Sequence, residues 1–320
     1  MAARFPIPST LSPEAQAVLA AVHEQPALPT PAPSDAEGWA YLEALAASTV
    51  PEVLETMAMA TVGAVPSDEQ VDLVERTVGD ATFIVATPRS SDRDDRRVLL
   101  NMHGGGFTFG GGATARRSTQ LVAGNMGLTT WGMDYRQLPH HPFPAGLDDC
   151  TAVYRLLLED HAPEDIVVMG QSGGANLAAA LVLRARAEGL PTPAGLALVS
   201  PPTDFTFRGE SWYTNAEGTT AESFANMLAL YKGEYPAEHP YISPLFGDYD
   251  DSFPPTIITS GTRDMLLSDA VRLHRKLVKA GVTTELHVWE GAPHGFFMGR
   301  APEDHEHVLQ VRTFLRARLR

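Results

Sequence analysis

Ser172 is framed by Gly170-Gln171-Ser172-Gly173-Gly174, a GxSxG spacing set between the apolar run Ile166 to Met169 and a helix-like stretch from Ala175 to Arg186. A serine forced into a sharp strand-to-helix turn holds its hydroxyl clear of the backbone, and the flanking glycines are needed where any Cβ would collide with neighbouring chain. The helix that follows would aim free N–H groups and the positive end of its dipole at the serine oxygen. The chemistry on offer is nucleophilic attack on a carbonyl carbon. Five residues alone are a weak signal, because Gly and Ser also build ordinary Gly-rich turns between strand and helix.

Three further features strengthen it. His103-Gly104-Gly105-Gly106-Phe107 follows the apolar run Val98 to Met102. Acyl transfer places negative charge on a carbonyl oxygen, and consecutive glycines leave backbone amides unshielded to receive it. Gly105 and Gly106 are the expected donors, joined by Gly173, the residue after the nucleophile. A phosphate-cradling loop would instead want GxxxxGK[ST], and no Lys precedes Lys232 in the chain.

His294 lies in Gly291-Ala292-Pro293-His294-Gly295-Phe296, just beyond the strand-like Thr284 to Glu290. From there a histidine can reach back and act as general base for the serine. Asp264 follows the short apolar run Thr256 to Ile258 and would hold the histidine in one tautomer and stabilise its imidazolium. Asp269 is the competing acid, but Leu266 to Lys279 reads as a helix and would carry Asp269 in its first turn.

These residues need a scaffold. Strand-like runs occur at Val71 to Val78, Ala81 to Ala86, Val98 to Met102, Thr129 to Met133, Ile166 to Met169, Leu196 to Ser200, Thr256 to Ile258 and Thr284 to Val288. From Val98 onward they alternate with helix-period segments, which predicts a largely parallel sheet in a single α/β domain. The first 65 or so residues differ: helical runs at Pro13 to His23 and Ala36 to Ala60 flank a Pro-rich stretch, Gln25 to Ser34.

The chain order Ser172, Asp264, His294 is that of the α/β hydrolases. With HGGG upstream, and with Asp134-Tyr135-Arg136, Phe143-Pro144-Ala145, Ser200-Pro201, Tyr241-Ile242-Ser243-Pro244 and His294-Gly295-Phe296 in the same order, the chain resembles the hormone-sensitive-lipase-like branch, the bacterial family IV esterases. The resemblance runs from about Arg97 to the C-terminus. It departs at Gln171, where relatives usually carry Asp or Thr, at Gly173, where they carry Ala, and at Gln137-Leu138-Pro139-His140, where they more often read Leu-Ala-Pro-Glu.

The resemblance implies an α/β-hydrolase fold: a mostly parallel eight-stranded sheet flanked by helices, with a helical cap. Residues 1–65 would supply one part of the cap, and an insert at about 205–235, carrying Trp212, Tyr213, Phe224 and Met227, would join it within the catalytic domain 66–320. The implied activity is hydrolysis of short to medium acyl esters through an acyl-enzyme, with no cofactor. A lactone, carbamate or amide would pass through the same oxyanion and stays open as the substrate. The same fold also serves as a small-molecule receptor in the gibberellin receptors, which lack a working catalytic histidine.

Composition limits the partners. The net charge of −15 argues against nucleic acid and anionic membrane surfaces. The basic tail Arg312 to Arg320 reads as the end of an amphipathic helix, and adjacent His140-His141 has no further ligand type beside it to make a metal site. Cys150 is the only cysteine, so no internal disulfide forms. Pro6, Pro8 and Pro13 interrupt the N-terminus where a signal peptide or spanning helix would need a continuous apolar run, so a soluble cytoplasmic protein is expected. Its partner would be a small-molecule ester, with a homodimer left open.

Overall fold

A computed structural model describes residues 6–22, 34–40, 70–89, 94–215 and 221–320. Eight strands form one sheet: β1 (Val71–Val78), β2 (Ala81–Pro88), β3 (Val98–Met102), β4 (Thr129–Asp134), β5 (Ile166–Gln171), β6 (Gly195–Val199), β7 (Thr256–Arg263) and β8 (Thr284–Pro293). Their order is β1-β2-β4-β3-β5-β6-β7-β8. The β1–β2 and β2–β4 pairs are antiparallel. Every other pair is parallel. The mostly parallel eight-stranded sheet expected from the sequence is therefore present.

The central strands are buried on both faces, which is why they read as unbroken apolar runs. Along β5, Ile166 and Val168 enter one core layer while Val167 and Met169 enter the other. The first layer is completed by helices α3 (Ala145–Asp160), α4 (Gly173–Ala187) and α7 (Leu267–Lys279), through residues such as Leu147, Tyr154, Leu177, Leu181, Leu273 and Leu277. The second takes Leu121 and Met126 from α2 (Ala113–Met126), Val308, Val311 and Leu315 from α8 (Pro302–Arg316), and Ala15 and Leu19 from α1 (Pro13–Val22). Helix α1 is tied to α8 by Ser12, whose N–H and hydroxyl both donate to the Glu303 carboxylate at 2.8 Å. The basic residue Arg316 ends α8 and reaches the carbonyls of Met126 and Gly127 at the end of α2.

Among its described residues the insert holds two helices, α5 (Ser211–Thr214) and α6 (Ala221–Lys232). The helix expected over 36–60 is seen only at residues 36–40, and the rest of it lies outside the described residues. Strands β3 and β5 are neighbours, and β4 lies on the far side of β3. The connection from β3 runs outward to β4 and the next one returns past β3 to β5, so the strand order reverses there, and the crevice beyond the carboxyl ends of such strands is where α/β sheets place their sites. The HGGG loop leaves β3 there, and Ser172 leaves β5.

Candidate active site

The turn carrying Ser172 is tight. Ser172 sits between β5 and α4 with φ 50° and ψ −122°, a left-handed conformation that costs a non-glycine residue on the order of 1–3 kcal/mol. It persists because its surroundings fix it. The Ser172 N–H donates to Val199 O at 2.8 Å. A Cβ on Gly174 would collide with the carbonyl oxygens of Met102 and His103, so the turn is seated directly on the end of β3. That close approach explains the glycine at the last position of the GxSxG run.

His294 begins the loop after β8 and brings Nε2 to 2.9 Å from Ser172 Oγ. Its Nδ1 is 3.1 Å from Asp264 Oδ1. A carboxylate can only accept, so the ring proton belongs on Nδ1 and Nε2 is left to receive the serine proton. Asp264 is fully buried. Its Oδ1 also accepts the Leu266 N–H at 2.9 Å, and its Oδ2 accepts the Ser260 hydroxyl at 2.9 Å. Burial works to raise its carboxyl, but the charge of His294 and the hydrogen bonds from His294 and Leu266 hold it below the usual carboxylate value.

Asp269 is also fully buried but faces elsewhere. Its Oδ2 accepts from Thr203 N and Asp204 N at 2.8 and 2.9 Å, and its Oδ1 accepts from Trp212 Nε1 at 3.2 Å. Burial, only partly opposed by those N–H groups, pushes its carboxyl up to about 7.

The HGGG loop lies beside the serine. The amides of Gly105, Gly106 and Gly173 donate to no acceptor among the described residues. Gly173 sits against the loop: a Cβ on it would be 3.4 Å from Gly106 N. Gly105 has φ 114° and no room for a Cβ beside Phe109 O, so only glycine fits. His103 anchors the loop from below. Its ring stacks on Tyr135 at 4.4 Å, Nδ1 donates to Gly104 O at 2.6 Å, and Tyr135 Oη donates to His103 O at 2.9 Å. Burial lowers its pKa, which keeps the ring neutral. The next residue, Arg136, holds Asp149 through both its side chain and its N–H.

A model of the α/β-hydrolase fold matches residues 99–298, a span that contains all six residues of this site. The chain is an α/β hydrolase. It is 32% identical over 225 residues to an esterase of Acinetobacter venetianus, covering 68% of this chain and 74% of that protein. It is also 32% identical over 217 residues to an acetyl-hydrolase of Streptomyces hygroscopicus, covering 67% and 71%. Among solved structures, an esterase from the bacterial hormone-sensitive lipase family superposes with a TM-score of 0.80 at 30% identity, covering 97% of this chain and 99% of that one. The hydrolase is therefore of the hormone-sensitive-lipase-like branch.

The insert of this hydrolase touches the HGGG loop. A Cβ on Gly106 would lie 2.8 Å from Met227 Sδ on α6, and Tyr231 of the same helix stacks on Phe107 with ring centroids 3.9 Å apart. Trp212 is buried beneath Phe207 and Phe224, whereas Tyr213 is exposed.

Several supports of the site have no signal in the motifs. Ser260 on the Asp264 carboxylate is one. Asp304 is another: its two oxygens accept from Phe297 N at 3.0 Å and Ala301 N at 3.1 Å, which fixes the far end of the His294 loop. Its place three residues after Ala301, at the start of a helix opened by Pro302, could have been read as a capping position. His307 stacks on Phe296 at 4.0 Å and meets Thr259 Oγ1 through Nε2 at 3.0 Å. Burial pulls its pKa down to about 3.

Proposed function

We propose that this hydrolase is a serine carboxylic-ester hydrolase acting on short to medium acyl esters, with Ser172 as nucleophile, His294 as general base and acid, and Asp264 as the acid that orients it. The observation that carries the reading is the continuous relay from Ser172 Oγ through both His294 nitrogens to the buried Asp264, at 2.9 and 3.1 Å. The hydroxyl proton passes to Nε2 as Oγ attacks the ester carbonyl, and Asp264 stabilises the imidazolium that results. The N–H groups of Gly105, Gly106 and Gly173 receive the oxyanion. They are supported in that role by having no other acceptor among the described residues. His294 then returns the proton to the leaving alcohol, and water releases the acyl group by the same route.

The naming of the relatives as esterase and acetyl-hydrolase favours small acyl groups. The cap is proposed from residues 1–65 and 205–235. The contacts of Met227 and Tyr231 with the Gly106-Phe107 turn support the second part. The Ser172–His294 contact counts against a receptor role. A cytoplasmic site of action is part of the proposal. No helix among the described residues is long and apolar enough to cross a membrane. A homodimer stays open in this reading, and the sheet has two edge strands, β1 and β8, for strand pairing between copies.

Hydrolysis of p-nitrophenyl esters from acetyl to octanoyl, run beside a lactone and a carbamate panel, tests the substrate reading. The highest kcat/KM should fall between acetyl and hexanoyl. A lactone or carbamate turned over faster than every ester would replace the ester assignment.

A further inference from the structure

Asp264 owes its direction to a short link between the end of β7 and the start of α7, and the backbone carbonyls of that link are satisfied from the insert. Asn215 Nδ2 donates to Thr262 O at 3.0 Å and to Asp264 O at 3.1 Å, bridging the two carbonyls on either side of Arg263. Ser211 Oγ donates to Met265 O at 2.7 Å. The same hydroxyl accepts from Ser268 N at 2.8 Å, and Ser211 N donates to Ser268 Oγ at 2.9 Å. Trp212 adds its Nε1 to the Asp269 carboxylate. One short helix is thus stitched along the whole link, from Thr262 to Asp269.

We propose that Asn215 is a positioning residue for catalysis, and that α5 is the clamp through which the insert sets the orientation of Asp264 toward His294. The inference rests on the reading of Ser172, His294 and Asp264 as the reacting set. Within the link, Ser260 and Leu266 hold the carboxylate itself, whereas Asn215 holds the backbone that carries it. Removing the Asn215 donor takes that partner from the Thr262 carbonyl and leaves the Asp264 carbonyl with the Leu267 N–H at 3.1 Å, which loosens the link between β7 and α7 on the side of the insert. That loosening is transmitted to Asp264 Oδ1. Because α6 of the same insert lies on the Gly106-Phe107 turn, the insert then touches both the oxyanion loop and the acid. Small displacements of such groups have large effects on rate, on the order of 10²-fold for a misplacement of about 1 Å.

The test uses the full chain with Asn215→Ala and, as a variant that keeps the side-chain volume, Asn215→Leu. Two quantities are measured: the rate of Ser172 phosphonylation by a fluorophosphonate, and kcat and KM for p-nitrophenyl acetate and octanoate. Both variants should fold, react with the fluorophosphonate on the order of 10-fold more slowly, and lose kcat on acetate with little change in KM. If alanine loosens the fold, the leucine variant decides. Wild-type labelling rates with an unchanged kcat on acetate would overturn the proposal, and so would a defect confined to a raised KM for octanoate, which would make α5 a substrate wall only. Absence of labelling at Ser172 in the wild-type protein would instead overturn the reacting set, and the inference with it.

Discussion

Asp264 and Asp269 stand at opposite ends of one link and face different partners: Asp264 Oδ1 meets His294 Nδ1 at 3.1 Å, whereas Asp269 Oδ1 meets Trp212 Nε1 at 3.2 Å. Both are fully buried, so burial alone does not separate them. Their partners do. Asp264→Asn presents an amide N–H or a neutral oxygen to the ring and favours the wrong tautomer, and kcat should fall on the order of 10⁴-fold. Asp269→Asn should retain kcat within about tenfold and show its effect in melting, because an amide has one accepting oxygen where the carboxyl group has two, so either Trp212 Nε1 or the Thr203 and Asp204 N–H groups lose their buried acceptor at a cost on the order of 1–3 kcal/mol. Steady-state kinetics and thermal melting on both variants check this, and the reverse pattern would move the acid to Asp269.

The oxyanion assignment predicts a linked loss. Gly105→Ala forces a side chain into a φ of 114° and against Phe109 O, so the turn must shift and carry the Gly105 and Gly106 amides with it. The loss of one such donor typically costs about 10²-fold in kcat. Affinity for a boronic acid, whose tetrahedral adduct mimics the intermediate, should fall by a similar factor in a fluorescence titration. A folded variant with impaired kcat and undiminished boronate affinity would remove Gly105 and Gly106 from this role.

His307 links stability to pH. Its folded pKa of about 3 lies below the ordinary value near 6.5, so the unfolded chain binds the proton more readily. The stability tied to the neutral ring is fully present above about pH 6.5 and is lost progressively as pH falls toward 3. His307→Phe keeps an aromatic ring against Phe296 while removing the titration. Urea unfolding at pH 7 and pH 4.5 should therefore show a smaller acid-induced loss in the variant than in the wild type. Equal losses would mean that this ring does not titrate on unfolding in that range.

Much of the fold was legible because burial on both faces writes a strand as a continuous apolar run, as in Val98 to Met102 and Ile166 to Met169. The GxSxG and HGGG segments were legible because close backbone approach and positive φ leave glycine as the fitting residue at Gly174 and Gly105. The end of β7 was not. Its apolar run stops at Ile258, yet the strand continues to Arg263, because Ser260 and Gly261 pair with Val288 and Trp289 while the Ser260 hydroxyl turns to the Asp264 carboxylate and Gly261 lies too close to Ala292 for a side chain. The same holds for Asn215, Ser211 and His307, whose bonds reach partners distant in the chain and leave no periodic trace. The expected helix over 36–60 falls largely outside the described residues, and of the first 65 residues α1 is seen, packed in the core layer that also holds α8.

The most direct measurement is covalent labelling of the wild-type protein by a fluorophosphonate, read by intact mass and peptide mapping beside ester hydrolysis by Ser172→Ala and His294→Ala. The account predicts a single adduct on Ser172 that abolishes hydrolysis in proportion to labelling. Both variants should fail to label and should lose on the order of 10⁶ in kcat while melting like the wild type. An adduct on another residue, or a folded Ser172→Ala protein that hydrolyses esters at near wild-type rate, would contradict the account.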